Sequence, residues 1–256
     1  MSKAWLALAL LTCSVARGQA PSYSAADIVN AVSYAPGPFA PNSVVSIFGT
    51  NLAWDPGLFT NTSASTLPTQ LDSVSVYVDF KLAPLLMVSQ GQINFLIPSD
   101  EIPGSALVQL VRQGVAGPRV TITLQSAAPT LFPSTGGYIL AEDWNNGGAV
   151  ITGDSPAHPG DTVILFATGL GAVQVAQGVY DIPSLATTIS DPPGLKVLLD
   201  GTPVDPMYIK YAGLTPGCAG LYQINLLLPA STGNDPAIQI VLAGQSSQAD
   251  LRLAVR

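Results

Sequence analysis

The side chains that could do chemistry are few. The sequence has one histidine, His158, in Pro156-Ala-His-Pro-Gly160, and two glutamates, Glu101 and Glu142. Nucleophilic catalysis needs a nucleophile, a base and an orienting acid within hydrogen-bond reach. Cys218 and His158 are of the right types, but Cys218 stands in the turn sequence Gly217-Cys-Ala-Gly220 with no marked orienter. No G-x-S-x-G elbow occurs. Paired carboxylates for glycoside hydrolysis would come from Asp100, Glu101, Glu142 or Asp143, sequence neighbours that read as loop residues pointing apart. A zinc site needs three or four Cys, His or carboxylate ligands at fixed spacing, and no such spacing is present. Asp154, Asp161, Asp200 and Asp205 are oxygen donors of the kind calcium takes, with only Asp79 to match Asp200 in the first half of the chain. Asp at such places more often closes a turn. Gly169-Leu-Gly171 lacks the third glycine and the helix of a dinucleotide loop. The expectation is therefore no catalytic residue, no metal and no cofactor.

Binding is a different matter. Beyond the N-terminal segment two tryptophans remain, both among polar loop residues. Trp54 precedes Asp55-Pro-Gly57, and Trp144 lies in Glu142-Asp-Trp-Asn-Asn146. Exposed aromatics with polar neighbours grip sugars or peptides, so Trp54 and Trp144 are the candidate ligand-binding residues. The alternative is that each covers the end of a core. A second polar feature is Gln92 and Asn94, two apart and so on one face of a strand, matched by Gln223 and Asn225. The expected role of these amides is to tie down the Gly-rich loops before them. Cys218 is expected to be partly buried among small neighbours.

The elements that must position these residues are strands. Charged residues make up only 10% of the chain, and 24 Gly and 22 Pro break it into short pieces. No window shows a convincing amphipathic helix. Ser73-Val-Ser-Val-Tyr-Val-Asp79 alternates with period two, the mark of a half-buried strand. Strands are expected at 28–33, 44–50, 74–79, 84–88, 92–97, 106–112 and 118–124. A second set is expected at 148–152, 162–168, 195–200, 206–211, 221–228, 237–242 and 248–255. Seven short strands in about 110 residues is the pattern of an antiparallel Ig-like sandwich.

The chain also repeats itself. Gln92-Ile-Asn-Phe-Leu-Ile-Pro98 returns as Gln223-Ile-Asn-Leu-Leu-Leu-Pro229, and Ile47-Phe-Gly-Thr-Asn-Leu52 as Leu165-Phe-Ala-Thr-Gly-Leu170. Matches in the same order with drifting offsets mean a duplicated module with loop insertions. The fold class expected is all-β, with two tandem antiparallel Ig-like or TIG-like β-sandwich modules, residues 23–128 and 129–256. Leu131 and Phe132 in the join imply a linker pinned to a module.

Residues 1–18 read as a secretory signal peptide. Lys3 supplies the positive charge, Ala4 to Val15 the short apolar run, and Ala16-Arg-Gly18 the small residues before cleavage. No later run is apolar for 18 residues, so no membrane span is expected. A formal net charge of −7 argues against a nucleic-acid surface.

Several motifs together resemble a known family: Asn30-Ala-Val-Ser-Tyr34, Ser46-Ile-Phe-Gly-Thr-Asn-Leu-Ala53, Ala83-Pro-Leu-Leu86, Gly91-Gln-Ile-Asn-Phe95, Ala167-Thr-Gly-Leu-Gly171, Ala212-Gly-Leu-Thr-Pro-Gly217 and Gly220-Leu-Tyr-Gln-Ile-Asn225. The set, spread over about residues 27 to 250, is similar to the Solibacter-type uncharacterised C-terminal domain family of acidobacterial secreted proteins. The resemblance implies tandem Ig-like or TIG-like sandwiches and carries no activity with it. Two functional readings follow. The first is an exported non-enzymatic protein, secreted or at the cell surface, with a structural, adhesive or assembly role and an extracellular protein or glycan as partner. The second is a carbohydrate- or peptide-binding module using its loop aromatics.

Overall fold

The computed structural model describes residues 19–61, 63–175 and 178–256. The expected signal segment, 1–18, lies outside the described residues. The first half forms β1 (Ile28–Asn30), β2 (Val44–Phe48), β3 (Gly57–Leu58), β4 (Val74–Val78), β5 (Lys81–Leu82), β6 (Leu85–Val88), β7 (Gln92–Leu96), β8 (Gly104–Arg112) and β9 (Val115–Leu124). The second half forms β10 (Thr130–Leu131), β11 (Ala141–Asp143), β12 (Ala149–Val150), β13 (Thr162–Thr168), β14 (Thr187–Thr188) and β15 (Lys196–Leu199). It continues with β16 (Thr202–Pro203), β17 (Ile209–Leu214), β18 (Tyr222–Leu227), β19 (Ile238–Leu242) and β20 (Gln245–Ser246). Among the described residues the only helical pieces are short 3₁₀ turns.

Each half is an antiparallel sandwich. In the first, the sheet β1-β2-β7-β6-β3 faces the sheet β5-β4-β8-β9. This is the immunoglobulin arrangement, with strands A, B, E and D in one sheet and C, F and G in the other. The second half has the same order, β11-β13-β18-β17 against β15-β19-β20, with β16 beside β15. Alternation drives the packing. Val74, Val76 and Val78 of β4 and Val108 and Leu110 of β8 meet Val45, Ile47, Ile93 and Phe95 of the facing sheet. A separate core holds Val163, Leu165, Ile224 and Leu226 against Val197, Ile238 and Ile240. Fully burying one such side chain stabilises the fold by roughly 1.5–3 kcal/mol.

Registers recur as well. Ser46 pairs with Asn94 across β2 and β7, and Ile164 with Asn225 across β13 and β18. Phe39 makes a parallel bridge to Leu124, and Ala157 one to Val255.

Four expected strands differ. The first of them, 28–33, differs only in length: β1 ends at Asn30, whose Oδ1 accepts from Val32 and Ser33 N–H and turns the chain. In place of a strand over 148–152 there is only β12, because Trp144–Asn146 coil into a 3₁₀ turn and the first strand role falls to β11. Over 206–211, Pro206–Tyr208 also form a 3₁₀ turn, capped by Asp205 accepting from Met207 N–H at 2.9 Å, so the ladder starts at Ile209. Over 248–255 there is no continuous strand. Ser247 Oγ takes the N–H of Ile240 at 3.0 Å and ends β20. Leu251 to Val255 then continue in broken register, bonding Ile238, Pro236 and Ala157.

The two sandwiches are joined by more than the linker. The linker itself becomes β10 on the edge of β13, with Leu131 fully buried. Thr168, at the end of β13, accepts from Val44 N–H at 3.3 Å and donates to Gly220 C=O at 2.9 Å. Asn30 donates to Thr130 Oγ1 at 3.1 Å. Gly220 has φ +74° and lies so close to Leu96 and Val44 that a Cβ would sit 2.4 and 2.9 Å from their side chains, which is why this turn needs glycine. A second contact comes from two long loops: Leu67 N–H donates to Tyr180 C=O at 2.7 Å and Ile182 N–H to Ser65 C=O at 2.8 Å.

Candidate ligand-binding face

The outer face of the β5-β4-β8-β9 sheet carries a concavity whose lining mixes aromatic, amide and guanidinium groups. On β4 the valines point inward, so Ser75 and Tyr77 point outward. On β8 the outward set is Leu107, Gln109 and Val111. Tyr77 pairs with Gln109, and Gln109 with Arg119 on β9, so one row runs tyrosine, glutamine, arginine across three strands. Gln109 Nε2 donates to Gly117 C=O at 3.1 Å, and its Oε1 accepts from Arg119 Nε at 3.3 Å.

Phe80 closes one end of the row. It stands in the two-residue turn between β4 and β5, with Asp79 at φ 43° and Phe80 at φ 68°. A turn with both central residues left-handed prefers Asn-Gly or Asp-Gly. Three other hairpins obey: Gln113-Gly114, Asp200-Gly201 and Ala243-Gly244 have the same sign of φ and glycine second. The turn at Asp72-Ser73, φ 45° and 59°, also lacks glycine but carries a small side chain there. Holding a bulky side chain there costs roughly 1–2 kcal/mol. Nevertheless Phe80 is 73% exposed, and the Arg119 guanidinium lies over its ring at 5.6 Å. Tyr77, Phe80, Leu107, Gln109, Val111 and Arg119 line a concavity of about 250 Å³. An exposed aromatic in a strained position is not explained by folding, which glycine would serve better.

The tryptophans lie elsewhere. Trp54 is 41% exposed, but the Arg112 guanidinium sits 3.9 Å from one ring face, and its Nε1 donates to Gln113 at 3.1 Å. Arg112 is buried, facing no carboxylate among the described residues. It donates to the carbonyls of Asn51 and Gln19. Trp54 thus covers a buried cation. Trp144 is 64% exposed on its 3₁₀ turn. Trp54 lies past the end of β2 and Trp144 before the start of β13, whereas the junction joins the start of β2 to the end of β13. The structure therefore keeps the two apart, each at the end of its sandwich remote from the junction.

His158 and Cys218 are also apart. Thr162 pairs with Leu227 and Ala167 with Tyr222, so His158 and Cys218 precede opposite ends of one ladder. Five residues of strand separate those ends, about 17 Å. His158 N–H and Nδ1 both face Asp161. Cys218 is exposed, contrary to the expectation of partial burial: it stands in the turn between β17 and β18, where its N–H bonds Thr215 C=O at 3.2 Å. The aspartates serve turns: Asp79 accepts from Leu107 N–H at 2.7 Å and Asp200 from Ala237 N–H at 2.9 Å. No group of three or more His, Cys, Asp or Glu among the described residues is close enough to hold a metal. Glu101 is buried 3.3 Å from Lys81, which also meets Asp100 at 3.1 Å. Burial raises the Glu101 pKa above the ordinary carboxylate range despite Lys81.

The paired amides do not reach their loops. Gln92 Nε2 and Ser46 Oγ both donate to Asn94 Oδ1, at 2.9 and 2.8 Å, and Gln223 Nε2 donates to Asn225 Oδ1 at 3.0 Å. The loop before β7 is tied instead by Ser89.

Sequence reasoning missed Phe80 and Arg119. Two signals could have found the face: the alternation that turns Tyr77 outward, and an Asp-Phe where the matching hairpin has Asp-Gly.

No family model matches the chain, and no curated protein does. Among solved structures it is similar to the full extracellular region of plexin A4, at TM-score 0.32 and 12% identity over 100% of this chain and 20% of that one. It is similar to the surface glycan-binding protein PbSGBP-B from Prevotella bryantii, at TM-score 0.27 and 10% identity over 92% of this chain and 42% of that one. It is also similar to tandem Ig repeats of Dlar, at TM-score 0.21 and 13% identity over 85% of this chain and 91% of that one. The chain thus spans less than half of the first two. No helix among the described residues is long and apolar enough to cross a membrane.

Proposed function

We propose that this is an exported, non-enzymatic adhesive protein of two duplicated Ig-like modules that holds an extracellular glycan on the outer face of β4, β8 and β9. The observation that carries the reading is Phe80, an exposed ring in a turn position that favours glycine. Stacking on aromatic side chains, with an amide and a guanidinium alongside, suits a sugar ring. The recurring registers support the duplication. Membership of the Solibacter-type C-terminal domain family is proposed on the motifs quoted above.

The test is gel retardation of the folded chain by a panel of soluble polysaccharides. At least one should retard the wild type, and Tyr77→Ala should lose most of that retardation. Trp144→Ala should keep it. Loss with Trp144→Ala and not with Tyr77→Ala would return the site to the loop aromatics.

A further inference from the structure

The charge on this face is out of keeping with the chain. The formal net charge is −7, but no carboxylate lines the concavity and one guanidinium does. Asp79, beside Phe80, spends its carboxylate on Leu107 N–H. Arg119 makes no salt bridge among the described residues. Its Nε is held by Gln109 and its carbon lies over Phe80, so the plane of the guanidinium is set. The two terminal nitrogens make no hydrogen bond to the protein among the described residues and form a fork of the kind that takes a carboxylate bidentately.

We infer, resting on the glycan reading above, that the ligand is an acidic polysaccharide. A uronate ring stacks on Phe80 and Tyr77 and its carboxylate meets the Arg119 fork. A peptide is the poorer occupant. β8, in the middle of the face, is paired on both sides by β4 and β9, so a ligand seated over it meets side chains and not main chain; the edge of the sheet is β9.

The experiment uses the folded chain with alginate, carboxyl-reduced alginate, dextran sulfate and a polyglutamate peptide as probes. Alginate should bind, and its carboxyl-reduced form should bind at least about tenfold more weakly, as should alginate to Arg119→Gln. Phe80→Gly should lose alginate binding while melting no lower than wild type, because glycine relieves the turn. Equal binding of both forms of alginate, unaffected by Arg119→Gln but lost in Phe80→Gly, overturns the acidic ligand and leaves the glycan face standing. Binding unaffected by Phe80→Gly overturns both. Dextran sulfate binding as tightly as alginate replaces the carboxylate by a sulfate ester, and polyglutamate doing so replaces the sugar by an acidic peptide. Either result sinks the uronate.

Discussion

Asn94 and Asn225 occupy matching places but hold different partners. Asn94 accepts from Gln92 and from Ser46, whose hydroxyl is fully buried. Asn225 accepts from Gln223 and faces Ile164, which has no hydroxyl to satisfy. Asn94→Ala leaves a buried hydroxyl without its acceptor, which costs about 1–3 kcal/mol. The same change at Asn225 breaks one half-exposed bond, worth about 0.5–1.5 kcal/mol. Thermal unfolding should therefore show Asn94→Ala melting several degrees below wild type and Asn225→Ala falling by less. Equal losses would mean that Ser46 plays no part. The pairs of amides are legible in the sequence, since both sit in its best-kept segment. Their bonding is not, because Ser46 lies on another strand, 48 residues away. Arg112 was hidden for a similar reason: nothing local marks an arginine at a strand end as the one held by Trp54 and two distant carbonyls.

At the scale of elements, strands with strict alternation are the ones the sequence discloses. β2, β4, β7, β13 and β18 stand within two residues of expectation. Those that escape it, β3, β5, β10, β11, β14, β16 and β20, are two or three residues long. Of these, β5, β16 and β20 merely close hairpins, and β3, β10, β11 and β14 are set by partners distant in the chain, β6, β13 and β17. The junction is wholly non-local, and only Leu131 in the linker hints at it. Thr168 is its pivot, with its hydroxyl between Val44 N–H and Gly220 C=O and no exposed surface. Thr168→Val keeps the shape and removes both bonds. That leaves a buried donor and a buried acceptor unsatisfied, at about 1–3 kcal/mol each. Amide hydrogen exchange at Val44 should accelerate in this variant while the cores of both sandwiches stay protected. Unchanged exchange at Val44 would show that the hydroxyl contributes nothing there.

The whole molecule has two sandwiches and one exposed thiol, Cys218, with no disulfide partner among the described residues. Cys218 should therefore link two chains in oxidising solution. A band at twice the chain mass on a non-reducing gel, absent in Cys218→Ser, is the expected result, and the variant should melt with the wild type. A monomer under oxidation would place the thiol out of reach of a second copy. The same arrangement fixes where a pull along the molecule would act. Gln19 is gripped by Arg112 at the far end of the first sandwich, and Arg256 bonds Ala157 at the far end of the second. A pull applied through these two residues runs lengthwise through both bodies and meets the junction in the middle. There it is shared between the Thr168 contact and the paired loops 65–67 and 180–182, so neither tether is stretched alone. Two separate seams, one at Thr168 and one at the paired loops, would have to part before the sandwiches could swing about the linker.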